Sequence, residues 1–187
     1  PGLKMVFPST PTDAHRMIRG AIADPDPVLF FEQKSLYRTA KEELDESASP
    51  LRPGRAKVRR EGADLSIVTY GAMVHRAVSA ADVVSRRSGI EVDVLDLRSL
   101  APLDEEALLA TARKTNRILI LHEDNVTGGA GGELAARIAE SAFDHLDAPI
   151  RRLGALDVPI PYAGALEDAS LPSVEKIATA VEDLHRY

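Results

Sequence analysis

From Leu65 onward the chain alternates short apolar runs with amphipathic stretches, and this alternation leaves few folds open. Leu65 to Tyr70, Val92 to Leu97, Arg117 to Leu121 and Ile150 to Leu153 read as strands. Between them Val74, Ala77, Val78, Ala81 and Val84 recur at helical spacing, as do Leu108 with Ala112, and Leu134 with Ile138 and Ala142. Asp104 stands where a helix N-cap belongs, and so does Ser173, ahead of Ile177, Val181 and Leu184. Ala56 to Glu61 is polar enough for an edge strand. Strand and helix in regular alternation predict an α/β fold of three layers, a mostly parallel sheet covered by helices on both faces.

The first quarter carries a smaller version of the same pattern. Leu3 to Phe7 reads as a strand, and Thr10 as the N-cap of a helix with Pro11 at its first position and Asp13 reaching back. Ala14, Met17, Ile18 and Ala21 give that helix an apolar face. It stops at Asp24-Pro25-Asp26-Pro27, and Val28 to Phe31 is expected to be a buried strand of the continuous kind found in parallel sheets. One βαβ unit is too small to fold alone, so its sheet is expected to continue elsewhere. Because the chain opens Pro-Gly-Leu-Lys and runs straight into a strand, it reads as the carboxy-terminal part of a larger protein. From Arg38 to Arg55 the residues are charged, without apolar periodicity, and include Ser47, Ser49, Pro50, Pro53 and Gly54, a linker composition.

Composition narrows the chemistry. Twenty-three basic against 29 acidic residues give a net charge of -6, which disfavours nonspecific contact with nucleic acid or an anionic membrane surface. With no cysteine, these residues offer neither a disulfide framework nor a thiolate metal site nor a thiol nucleophile, and a reducing cytoplasm is the expected setting. No apolar run approaches the roughly 20 residues that span a bilayer.

The segment His122-Glu123-Asp124-Asn125-Val126-Thr127-Gly128-Gly129-Ala130-Gly131-Gly132-Glu133 falls between a strand's carboxyl end and a helix start, where open α/β sheets often bind ligands. Both nucleotide fingerprints fail there. Leu134 stands where G-x-G-x-x-G needs its last glycine, and no Gly-Lys-Ser/Thr follows. The glycines are therefore read as serving close backbone turns and packing, and His122-Glu123-Asp124 as polar residues anchoring a loop, since neighbours on an extended segment face opposite ways. His15, His75, His145 and His185 are read as solvated, Arg98 as a partner in a loop salt bridge. The turn at Ala21, Asp24 and Asp26 ends a helix whose last carbonyls are free to face a hard cation.

Taken together, Pro1-Gly2-Leu3-Lys4 with Pro8-Ser9-Thr10-Pro11, Phe30-Phe31-Glu32-Gln33-Lys34 with Leu36-Tyr37-Arg38, Asp96-Leu97-Arg98, His122-Glu123-Asp124 with Thr127-Gly128-Gly129, and Asp157-Val158-Pro159-Ile160-Pro161-Tyr162 resemble the β subunit of the E1 component of 2-oxo acid dehydrogenase complexes. The branched-chain (2-oxoisovalerate) type is nearest, with the pyruvate and acetoin types next. Transketolase or deoxyxylulose phosphate synthase tails share the expected fold and are the alternative enzyme reading; a stand-alone interaction module of that fold is the non-catalytic one.

The resemblance implies that residues 1–46 close a pyrimidine-binding domain, 47–55 form a linker, and 56–187 form a transketolase C-terminal domain. It implies an α2β2 enzyme that decarboxylates a 2-oxo acid on thiamine diphosphate with magnesium and passes the acyl group to lipoyl-E2. The catalytic glutamate and histidine of the family precede Pro-Gly-Leu-Lys, so no catalytic or cofactor-binding residue is expected here, and the chain by itself is expected to be inactive. The implied partners are the E1 α subunit, a second β subunit and the subunit-binding domain of E2. Carried over residue by residue, the resemblance puts a potassium ion on the backbone carbonyls of Ala21, Asp24 and Asp26, and E2 docking at Asp147 and Tyr187. Arg151, close to Asp147, interrupts what would otherwise be an acidic patch, and Ala101 departs from the arginine of the family's Arg-Pro-Leu-Asp.

Overall fold

The computed structural model describes residues 2–187. In chain order the elements are β1 (Lys4–Val6), α1 (Pro11–Ile22), β2 (Val28–Phe30), α2 (Leu36–Thr39), β3 (Lys57–Arg60), β4 (Leu65–Thr69), α3 (Met73–Ser88), β5 (Val92–Asp96), β6 (Ser99–Ala101), α4 (Glu105–Thr115), β7 (Ile118–Asn125), α5 (Ala130–Ala142), β8 (Arg151–Ala155), α6 (Gly164–Ser170) and α7 (Val174–His185). The main sheet has the order β3-β5-β4-β7-β8, parallel except for β3, which pairs antiparallel with β5. Helices α3 and α7 close one face through Ala77, Ala81, Val84, Ile177, Val181 and Leu184. On the other face α4 and α5 bring Leu108, Ala112, Leu134 and Ile138 onto Val68, Leu95, Ile118 and Ile120. Every residue of β4 and β5 is buried, as a sheet covered on both sides requires. Each large side chain so buried contributes about 1.5–3 kcal/mol of transfer free energy.

Local signals place the helix ends. Thr10 accepts from Asp13 N at 3.2 Å, Asp104 from Ala107 N at 3.2 Å and Ser173 from Lys176 N at 3.2 Å, each capping the helix expected of it. Gly89, with φ of 70°, takes the left-handed position that ends α3. Among the described residues no helix is long and apolar enough to cross a membrane.

The amino-terminal unit departs from expectation in two ways. Strand β2 is half-exposed rather than buried, with Leu29 41% exposed and Phe31, just past its end, also 41% exposed. Helix α1 buries Asp13, Met17 and Gly20, while Ile18 and Ile22 face outward. The reason lies in what it packs against. A Cβ on Gly20 would overlap the Leu51 carbonyl, whose residue donates its own N–H to Arg16 O at 2.9 Å, so the segment at Leu51 lies flat on the helix.

The two parts share a sheet. Strand β1 pairs with β2 in parallel and with β6 antiparallel, and β6 lies some ninety residues further along the chain. Next to this seam sits a buried ion cluster. Asp13 accepts from Arg59 Nη2 and, at 3.1 Å, from Arg98 Nη1; Arg59 Nη2 also meets Asp96 at 2.8 Å. Ser9 donates to Asp96 at 2.6 Å, and Arg98 completes its fork on the carbonyls of Arg55 and Ala56, both at 2.8 Å. Two carboxylates against two guanidinium groups leave no net charge to desolvate. Arg98 thus makes its salt bridge across the boundary, where the sequence suggested one within its own loop.

Candidate functional site

Strands β4, β7 and β8 end at Thr69, Asn125 and Ala155, and a cleft of about 950 Å³ opens over these ends. Its floor includes Tyr70, Glu123, Asp124 and Asn125; one wall is the loop from Gln33 to Thr39, another the segment from Leu156 to Leu171. The crevice beyond the carboxyl ends of parallel strands is where this class of sheet binds ligands.

Gln33 ties the amino-terminal unit to this floor. Its Oε1 accepts the Ala72 N–H and lies where a Cβ on residue 71 would be, so the glycine there, at φ of 60°, is required both by conformation and by space. Phe7 stacks on Phe31 with centroids 4.6 Å apart and leans on Tyr70 at 5.1 Å, an aromatic bridge over the same seam. His75, at the cleft's rim, hydrogen-bonds through Nε2 to the Ser9 carbonyl at 2.7 Å, although it is otherwise exposed as the sequence suggested. Burial, with help from the charges of Asp124 and Glu123, pushes the Tyr70 phenol up to about 12. Burial also raises Glu123, against the hydrogen bond from Gln33 and the charge of Arg76.

Behind the floor lies His122, completely buried. Its Nδ1 faces the Asp124 carbonyl at 3.0 Å, and a carbonyl can only accept, so Nδ1 carries the proton and Nε2 is a bare lone pair with no partner. Burial lowers its pKa. Three glycines enclose the ring: a Cβ on Gly131 would strike Nε2, one on Gly154 would come within 2.9 Å of Cε1, and one on Gly129 within 3.0 Å. Of the glycine run, Gly129 and Gly131 therefore serve packing and admit the imidazole, whereas a Cβ on Gly128 would meet nothing within 4 Å and one on Gly132 only Arg152 at 3.7 Å. Ahead of α5, Thr127 donates through Oγ1 to Asp157 at 2.6 Å and through its N–H at 3.3 Å, holding that carboxyl below its usual range. The chain thus supplies its own anion to the loop.

The other sequence-predicted residues fall outside the cleft. Ala21 lies in the last turn of α1, and its carbonyl accepts from Asp24 N at 3.3 Å; the carboxylates of Asp24 and Asp26 turn to Lys4 Nζ at 2.6 and 2.9 Å. That pairing raises Lys4 and lowers Asp24. Asp147 meets Arg117 at 3.4 Å, and Tyr187 is exposed. Both lie at the amino-terminal edge of the parallel strands, opposite the cleft, since Asp147 precedes β8 and α7 runs back from the strand ends to finish near Tyr187. Sequence reasoning missed Gln33 and Arg59, whose partners lie 39 and 37 to 50 positions away.

Residues 54–177 match the family model described as transketolase, C-terminal domain. The chain belongs to that family. Outside the matched segment the likeness continues. The chain is 43% identical, over all of its length, to the 2-oxoisovalerate dehydrogenase subunit beta of Bacillus subtilis, and 42% identical over 98% of its length to the mitochondrial pyruvate dehydrogenase E1 component subunit beta of Saccharomyces cerevisiae. The B. subtilis acetoin:2,6-dichlorophenolindophenol oxidoreductase subunit beta is 44% identical over 98% of the chain. The chain spans about half the length of these relatives, from 51% to 57%. In three dimensions it superposes on a split-gene transketolase solved as an inactive beta4 tetramer, with a TM-score of 0.81, 26% identity, and coverage of all of this chain and 58% of that one.

The cleft does not suit a diphosphate cofactor. Glu123, Asp124, Glu167 and Asp168 outnumber Lys34 and Arg76 around it, a balance that repels a polyanion. Nor do any three His, Asp or Glu side chains converge as metal donors among the described residues.

Proposed function

We propose that the chain works as the carboxy-terminal part of an E1 β subunit in a 2-oxo acid dehydrogenase complex, of the branched-chain type. The observation that carries this is likeness at 42–44% identity running through the whole chain, the amino-terminal unit included, to β subunits of this enzyme group. Residues 1–46 would then end a pyrimidine-binding domain, 47–55 link, and 56–187 form the transketolase C-terminal domain. In the assembled enzyme a 2-oxo acid is decarboxylated on thiamine diphosphate with magnesium, both held outside these residues, and the acyl group passes to lipoyl-E2. This chain would supply assembly with the α subunit and a second β subunit, and the surface on which E2 docks at Asp147 and Tyr187. We place the enzyme in the cytoplasm, whereas the yeast relative is named as mitochondrial.

The cleft fits a protein partner. Beside it Leu156, Val158, Ile160, Tyr162 and Leu166 are all more than 45% exposed, an apolar strip on one continuous segment. Potassium at Ala21, Asp24 and Asp26 is supported by their meeting in one turn at the end of α1, where a helix leaves backbone carbonyl oxygens unpaired.

Two measurements test the proposal. The assembled enzyme, given branched 2-oxo acids, pyruvate and sugar phosphates in separate assays with a lipoylated E2 domain as acceptor, should turn over the branched acids fastest; preference for a sugar phosphate would reject the assignment. Thermal unfolding in potassium chloride against equal sodium chloride should show a higher Tm in potassium, and equal values would remove the cation site.

A further inference from the structure

The cleft over the strand ends holds more negative charge than its own bases answer. Arg76 is already engaged, donating through Nη1 to the Pro172 carbonyl at 2.8 Å and meeting Asp168 at 3.5 Å. Glu123, Asp124 and Glu167 remain, none of them in an ion pair among the described residues, against Lys34 alone, which is exposed. The three carboxylates also feel one another. Burial raises the pKa of half-buried Glu123, against the bond from Gln33 and the charge of Arg76, and Glu167 and Asp124 add to the rise. Like charges act in this way only when they stand close together, so β7 and the start of α6 bring their carboxylates to one place in the cleft.

Tyr70 gives an independent sign of a missing ligand. Its ring leans on Phe7 and the residue is only 9% exposed, yet it lines the cleft and its hydroxyl makes no hydrogen bond among the described residues. A phenol so deeply buried normally has a partner. With its pKa pushed up to about 12 it stays neutral, and its oxygen is free to accept. A cationic donor satisfies the carboxylates and the hydroxyl together. A guanidinium suits the place best, since its flat fork offers five N–H groups and is weakly enough hydrated to enter a half-buried site.

The wall beside these groups shows what carries the cation. Leu156, Val158 and Ile160 are exposed along it, an apolar surface that fits a polypeptide segment rather than a free ion. A second copy of this chain joined through the same face would set the carboxylates against their own kind. We infer that the cleft receives an arginine side chain from a different partner chain, its guanidinium between Glu123 and Glu167 and bonded to the Tyr70 hydroxyl, its apolar neighbours on Leu156, Val158 and Ile160. The inference rests on the reading of the cleft as a protein surface, and in the enzyme proposed above that partner is the α subunit.

Two measurements on the assembled enzyme test it. Ile160→p-benzoylphenylalanine, irradiated and digested, should cross-link to an α-subunit peptide that contains arginine. In sedimentation velocity across a dilution series, Glu123→Gln should weaken association of α with β about tenfold and flatten its salt dependence. Glu167→Gln should act in the same direction, and because this side chain is exposed and unpaired it should leave the circular dichroism spectrum unchanged. Tyr70→Phe should weaken association to a smaller extent. If the cross-link falls on the α subunit but both glutamine variants keep the affinity and salt dependence of the unaltered protein, or the cross-linked peptide lacks arginine, the cleft is an α surface and the arginine inference is wrong. If the cross-link falls on a second β subunit, or none forms, the reading of the cleft as the α surface fails and the inference falls with it.

Discussion

His122 shows why single residues here have consequences beyond their own contacts. Its imidazole is enclosed by Gly129, Gly131 and Gly154 and lacks a donor for Nε2, so protonation would put a charge where no acceptor waits. The folded pKa is lowered, so between that value and the unfolded value near 6.5 the unfolded chain binds the extra proton. Stability is therefore full above the unfolded value and falls as pH drops through that window. Urea unfolding at pH 7.5 and 5.5 should show a decline that His122→Gln makes shallower; an unchanged decline would assign the proton uptake elsewhere. Gly131→Ala should lose about 1–3 kcal/mol by overpacking against the ring, measured by the same method. The sequence displayed the glycines and suggested packing, but not the ring they admit, because Gly131 and Gly154 stand 9 and 32 positions from His122 and only the fold brings them together. Caps were legible for the opposite reason: Thr10, Asp104 and Ser173 each bond three residues ahead.

Among the elements, the outcome divides along similar lines. Strands β4, β5 and β7 and helices α3, α4, α5 and α7 were visible because apolar spacing is a local property. Three short elements, α2, β6 and α6, were not, since three to seven residues carry too little periodicity to register. Helix α1 was seen but its inward face was misjudged, because Asp13 reads as polar and is buried by Arg59 and Arg98. Arg59 on β3 reaches Asp13 on α1 and Asp96 on β5, so Arg59→Met would strip two buried carboxylates of their shared cation. The expected loss is about 3–5 kcal/mol in denaturant unfolding. Adding Asp13→Leu should recover part of it, and a double variant worse than the single one would contradict the pairing.

For the molecule as a whole, the linker composition from Arg38 to Arg55 suggested two parts, and the contacts make their stabilities inseparable. Strand β6 completes the first sheet, Gln33 reaches the floor of the cleft, and Leu51 lies on Gly20. Calorimetry should therefore record one cooperative transition, with near- and far-ultraviolet circular dichroism changing together; two resolved transitions would show that the seam is weak.

The pairing of β1 with β6 also sets an order of events during synthesis. Lys4–Val6 leaves the ribosome long before Ser99–Ala101, and until the later strand emerges one edge of the early sheet stays open. For roughly a hundred codons the nascent chain would offer this edge to whatever strand, or chaperone, reaches it first. A premature stop or stall between Arg60 and Leu97 would thus release a chain prone to aggregate.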